Sequence, residues 1–265
     1  IFAAIEKWMR ELLTGMVESN MSTMFTDVNE KTSEIAAQVG RTPQNWNSSV
    51  FSMIQNLSES VVVPIAGIII TLVLCYELIS MLTERNNLHD VDTWMFFKYF
   101  VKAWVAIYLV SNTFTITMAV FDVGQSVVNS ASGIINGETA IDVSSLSMQM
   151  QAAMATMEIG ELVVLALETF LVSFCMKIMS VVITVIVYGR MIEIYLYTSL
   201  APIPFATMSN REWGHVGTNY FRGLFALAFQ AFLMMVCVAI YAALISSVRI
   251  SSNMHSALIG VAAYT

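Results

Sequence analysis

The sequence predicts an all-α fold, a polytopic bundle of transmembrane helices preceded by an amphipathic N-terminal helix. Composition is the first reason. Of 265 residues, 57% are hydrophobic and only 12% are charged, against about a quarter charged in soluble domains; mean hydropathy is +0.71. The second reason is four apolar runs long enough to cross a bilayer, which takes roughly 20 residues. The third is that polar, turn-rich links separate those runs.

Residues 1–60 read as an external helical region. Phe2, Ile5, Trp8, Met9, Leu12, Leu13, Met16 and Val17 recur at helical spacing, with Glu6, Lys7, Arg10 and Glu11 opposite. Such a helix lies on a membrane surface or packs on a partner and does not span. Residues 19–60 are polar, with Gly40-Arg41-Thr42-Pro43 as a turn between two short helices, the second running into the membrane.

Residues 61–121 hold the first two spans. Val61 to Leu82 is the first, with Pro64 in its opening turn, where a missing backbone donor costs little. Glu77 is a candidate buried polar group that reaches the interface or pairs with a nearby lysine. Phe96 to Phe121 is the second span, and Lys98 and Lys102 can snorkel from its first turns. Residues 122–159 form an external link whose first part continues the second helix. Ser126, Ser130, Gly133 and Gly137 give that part a small-residue edge suited to close contact, so Gly133 is a candidate interface position.

Residues 160–247 carry the most telling stretch. From Gly160 to Tyr188 the chain is apolar enough to span, yet Glu161, Glu168, Lys177, Arg190 and Glu193 punctuate one continuous helical pattern. At about 100° per residue, Glu161, Glu168, Arg190 and Glu193 share roughly one 60° stripe, with Lys177 nearly opposite. Glu161 falls at one interface; Arg190 and Glu193 fall at the other as an i, i+3 pair. Glu168 and Lys177 are left as candidate buried charges that need protein or water. Pro202 and Pro204 then end or turn the helix. Trp213 is an interface anchor, and Gly223 to Ser246 forms the last span with Gln230 as its strong polar group. Residues 248–265 read as the start of a further, incomplete segment, and the opening Ile1 suggests that chain precedes it.

No Lys or Arg occurs between Lys102 and Lys177. By the positive-inside rule the 122–159 link, and with it the N-terminal region, lies outside. Chemistry is thin. Cys75, Cys175 and Cys237 lie in three separate apolar runs and read as small buried side chains. His89, His215 and His255 are dispersed, and no phosphate loop or nucleophile elbow occurs. An enzyme is therefore not expected, nor any cofactor, with bound lipid as the open alternative. Twelve scattered basic residues offer no face for sequence-specific nucleic-acid binding.

An ordered set of segments resembles a known family. These are NEKTSEIAAQVGRTPQNW (29–46), VVVPIAGIII (61–70), FDVGQSVVNSASGIING (121–137), YGRMIEIYLYTSLAPIPFA (188–206) and NYFRGLFALAFQAF (219–232). Together they resemble the TrbL-like polytopic membrane proteins of conjugation machines, in the form found on Gram-positive mobile elements. The resemblance implies a cell-membrane component of a conjugative type IV secretion system that assembles as a homo-oligomeric ring. It further implies a pilin-like protein and a secretion ATPase as partners, membrane lipids around it, and transported single-stranded DNA. Two other readings stay open from the residues alone: a small-solute or ion channel or transporter, and a structural scaffold of another secretion complex.

Overall fold

The computed structural model describes residues 2–83, 93–138, 143–210, 212–247 and 258. Ten α-helices and one π-helical turn cover the described residues, with no strand among them. They are α1 (Phe2–Val39), α2 (Pro43–Trp46), α3 (Ser48–Leu57), α4 (Val63–Thr83), α5 (Thr93–Ser111), α6 (Thr113–Glu138), α7 (Val143–Met154), α8 (Ile159–Leu200), α9 (Pro202–Thr207) and α10 (Gly214–Ser247). Four of the helices, Ser48–Thr83, Thr93–Ser111, Ile159–Leu200 and Gly214–Ile245, are long and apolar enough to span a membrane. The fold class and the number of spans agree with the sequence.

Several boundaries moved, each for a local reason. The N-terminal pattern does not stop near residue 18, because Val17, Met21, Met24, Val28, Ile35 and Val39 prolong a buried stripe at helical spacings of three, four and seven, and α1 runs unbroken to Val39. Pro64 is not in an opening turn. It lies within the continuous helix Ser48–Thr83, two residues past the end of the π-helical turn Ser58–Val62. A proline inside a helix removes one backbone hydrogen bond and crowds the preceding turn, and the wider π turn accommodates that crowding. The second span ends early. Asn112 interrupts the helix between α5 and α6, where its Nδ2 donates to Tyr108 O at 2.9 Å and Thr113 Oγ1 donates to Leu109 O at 2.8 Å. Short polar side chains there compete for the backbone groups that helix continuation needs. The last span starts nine residues earlier than the pattern suggests, at Gly214 rather than Gly223.

The chain forms two compact units. The first comprises 1–39, 128–188 and 232–265. Its core joins Val17, Met21, Met24, Phe25 and Val28 of α1 to Met150 and Met154 of α7, Leu162, Leu165 and Met176 of α8, and Ala242 and Ile245 of α10. Met21, Met24, Met150 and Met154 are all fully buried, which suits a flexible thioether filling irregular gaps between helices. Helices α1 and α8 run side by side and parallel in this unit. Arg10 Nη1 donates to Met157 O at 2.7 Å, and Asn20 Nδ2 donates to Thr169 Oγ1 at 3.4 Å. Lys31, Glu34, Ile35 and Gln38 enclose a pocket with Thr184, Val187 and Tyr188. Glu18 ties α7 to α1, accepting from Ser147 Oγ at 3.0 Å and Gln151 Nε2 at 2.7 Å.

The second unit comprises 40–127 and 189–231. Ala66, Ile70 and Leu74 of α4 pack on Ala106 and Val110 of α5 and on Phe205 and Ala206 of α9. Phe121 of α6, Met191 and Ile194 of α8 and Leu224, Leu227 and Ala228 of α10 form a second cluster. Buried Tyr195 donates to Pro43 O at 2.6 Å, which holds the α2 turn against α8. Small residues set the closest approaches. A Cβ added at Gly124 would lie 2.8 Å from the carbonyl oxygen of Ala228. Gly217 and Gly223 are crowded likewise, by Met208 with Pro204 O and by the Tyr197 hydroxyl.

Candidate functional site

Helix α8 carries most of the ionisable residues singled out above. At 42 residues it is about 63 Å long, roughly twice the hydrocarbon thickness of a bilayer. Its first turn explains Glu161. That carboxylate reaches back to the Glu158 backbone N–H at 3.2 Å, the reciprocal half of a capping box, and its charge favours the helix N-terminus. Glu161 and Glu193 are exposed, Glu168 is half-buried, and Arg190 is buried. The stripe therefore follows one border of the buried face rather than pointing to a single environment.

Lys177 is exposed on the chain. Any burial of this ammonium must come from lipid or from another protein. Arg190, only 6% exposed, has its Nε without a hydrogen-bond partner among the described residues. The expected Arg190–Glu193 pair does not close among them: Arg190 rotates into the core, while Glu193, about 60° away around the helix, faces outward.

The remaining charges are paired more simply. Glu77 accepts from Lys102 Nζ at 2.5 Å, with side chains 18% and 41% exposed, so the expected lysine partner is Lys102 of the neighbouring α5. Lys98 lies over the Trp94 ring, 5.6 Å from its centroid, a favourable cation–π contact. Removing Lys102 leaves Glu77 half-buried and unpaired. Lys102→Met is expected to lower the thermal stability of the detergent-solubilised chain by about 1–3 kcal/mol, and Glu77→Gln in the same chain to recover most of that loss. Thermal unfolding of the single and double variants checks both.

Gln230 is half-buried with its Oε1 unpartnered among the described residues. Pro202 is buried at the first position of α9 and Pro204 half-buried two residues on, so the two prolines end α8 at Leu200 as expected. Trp213 is exposed and stacks on Tyr76 with ring centroids 5.6 Å apart, while the Tyr76 hydroxyl donates to Glu212 at 3.0 Å. Buried Asn210 holds this turn by accepting from the Glu212 and Trp213 backbone N–H groups at 2.7 and 3.1 Å. Gly133 lies in α6, but its surroundings fall outside the described residues, as do His89, His255 and residues 259–265. Cys75, Cys175 and Cys237 are free and exposed, which corrects their reading as buried packing residues. They are on helix faces that the chain itself does not cover. No group of three or more His, Cys, Asp or Glu that could hold a metal occurs among the described residues.

Membrane-length helices with an uncovered apolar surface define a multi-pass membrane protein. A family model for TrbL/VirB6 plasmid conjugal transfer-like proteins matches residues 28–202. The chain belongs to this family, and so is a membrane component of a conjugal transfer system that associates with other subunits of that system. No curated protein and no solved structure matches the chain.

Proposed function

We propose that this protein forms part of an oligomeric channel or scaffold for DNA transfer across the cell membrane in a conjugative type IV secretion system. The observation that carries the reading is the family match over 28–202 in a chain with four membrane-length helices. Copies of the chain assemble with one another, and a pilin-like subunit and a secretion ATPase are the partners. The chain is multi-pass in the cytoplasmic membrane, with the start of α8 outside; it has no catalytic role and no cofactor, and lipid occupies its uncovered faces. Exposed Phe174, Ile178, Val181, Val185 and Ile192 on α8 supply apolar surface for lipid and for neighbouring copies.

DNA transfer from donor cells lacking only this protein tests the reading. Transfer is expected to be lost and to return with a plasmid copy. Normal transfer without the protein would overturn it and direct attention to solute flux by the purified chain, which this reading expects to be absent.

A further inference from the structure

Lys177 is a cation set in an apolar surface that the chain itself leaves open. Phe170, Phe174 and Val181, at i−7, i−3 and i+4, share its side of α8 and are 56%, 58% and 63% exposed. Among the described residues Lys177 forms no ion pair. Its depth decides what can satisfy it. The exposed apolar surface of α8 runs from Val163 to Ile186, about 36 Å along the axis. A hydrocarbon layer of about 30 Å, laid anywhere along that surface, leaves Lys177 at least about five residues inside its nearer, C-terminal edge.

Helical side chains lean toward the N-terminus, so the ammonium points along the longer apolar stretch and away from that edge. Snorkelling, open to lysines near a helix end, is closed to it, and a lipid phosphate at the edge lies out of reach. An ionisable group at such depth faces protein or water, and phenylalanine and valine beside it favour protein. A second copy does not supply the acceptor from α8. Copies related by rotation about the membrane normal hold each residue at one level. Glu161 and Glu193 each lie sixteen positions from Lys177, about 24 Å along the axis, and Glu168 already has a partner within the chain. The part of α10 in this unit, Phe232 to Ser247, holds no charge. Helix α1 offers carboxylates only on a polar face, where Thr26, Glu30 and Ser33 are exposed together. Burying that face against phenylalanine is costly.

We propose that the Lys177 face of α8 docks an apolar helix of another subunit of the transfer system, whose single carboxylate pairs with the ammonium. Charge complementarity identifies the occupant. The face is apolar apart from one cation, so the matching face is apolar apart from one anion. Half-buried Ser173 and Ser180, four residues before Lys177 and three after it, are small enough to let that helix approach closely. Along this stretch the partner takes the place of the lipid or copy that apolar surface alone would accept. The inference rests on α8 crossing the membrane beside other subunits, and not on DNA passing through this protein.

The test uses the full chain in membranes of donor cells that carry the whole transfer system. A photo-reactive benzoylphenylalanine takes the place of Phe174, or of Val181 if the first chain does not accumulate. Light is expected to join the chain to a different polypeptide. The joined peptide, read by mass spectrometry, is expected to hold one Asp or Glu within an apolar stretch. Lys177→Met should lower the yield of that adduct about tenfold or more, as loss of one member of a buried charge pair does, and Lys177→Arg should keep it. Lys177→Glu should also lose the adduct, and regain it when the identified carboxylate is changed to Lys. Thermal unfolding of the isolated chain should be unchanged by Lys177→Met; a fall in Tm would show that the chain itself satisfies the ammonium and would overturn the proposal. An adduct with a second copy, an adduct with lipid alone, or none at either position would sink it. So would a yield indifferent to Lys177, or a joined peptide without a carboxylate. None of these results bears on whether cells lacking the protein still transfer DNA, so the two readings fail separately.

Discussion

Gly124→Val is expected to destabilise the second unit strongly. The Cβ it adds would lie 2.8 Å from Ala228 O and 3.3 Å from Ala228 Cβ. The first of these atoms belongs to the helix backbone and cannot rotate away, so α6 and α10 must separate. Overpacking of this kind costs about 1–3 kcal/mol and occasionally more. The contact is flanked by the cluster of Phe121, Met191, Leu224 and Leu227, so separation would loosen several buried side chains together. Gly124→Ala is expected to show a smaller loss of the same sign. Ala228→Gly should not rescue Gly124→Val, since it removes only the side-chain contact and leaves the carbonyl. Thermal unfolding in detergent distinguishes these outcomes. Rescue by Ala228→Gly would show that side-chain volume, not backbone approach, limits the contact.

Gly124 also shows where sequence reading stops. Its neighbours Ser126, Ser130, Gly133 and Gly137 form a visible small-residue edge, and Gly124 lies in the same segment. Which small residue meets another helix depends on what that helix presents, and Ala228 is more than a hundred residues away. The spans themselves were legible because apolar length is a local property. Ends and breaks were less so. The break at Asn112 and the π turn before Pro64 arise from a few side chains competing with or lacking backbone donors inside otherwise apolar runs. The length of α1 was hidden for another reason: after Met16 its apolar stripe narrows to one residue per turn among Thr, Ser, Asn and Glu, which reads as a polar segment until α8 and α7 are known to cover that stripe. At the candidate site, helical rotation grouped Glu161, Glu168, Arg190 and Glu193 within one 60° stripe. It did not say which members face the core, because a stripe 60° wide straddles the border of the buried face, and 60° separates buried Arg190 from exposed Glu193.

Arg190→Met is expected to stabilise the isolated chain. The guanidinium is 6% exposed, and its Nε lacks a hydrogen-bond partner among the described residues. Burying a charge is expensive unless it is paired and fully hydrogen-bonded. Met keeps much of the aliphatic volume and removes that cost, and apolar replacement of buried charges has been worth about 1–4 kcal/mol in favourable cases. At the size of this chain, each kcal/mol corresponds to a rise of roughly 2–4 °C in Tm. Arg190→Lys should bring no such gain, because it keeps the charge and loses the planar fork of donors. A gain in Tm for Arg190→Met accompanied by loss of DNA transfer would mean that the arginine is retained for an acceptor supplied by another subunit, with the isolated chain carrying the cost of waiting for it. A gain in Tm with normal transfer would make Arg190 dispensable. A fall in Tm would show that the buried guanidinium is satisfied within the chain, by water or by the end of α8, and would remove it from consideration as an assembly contact.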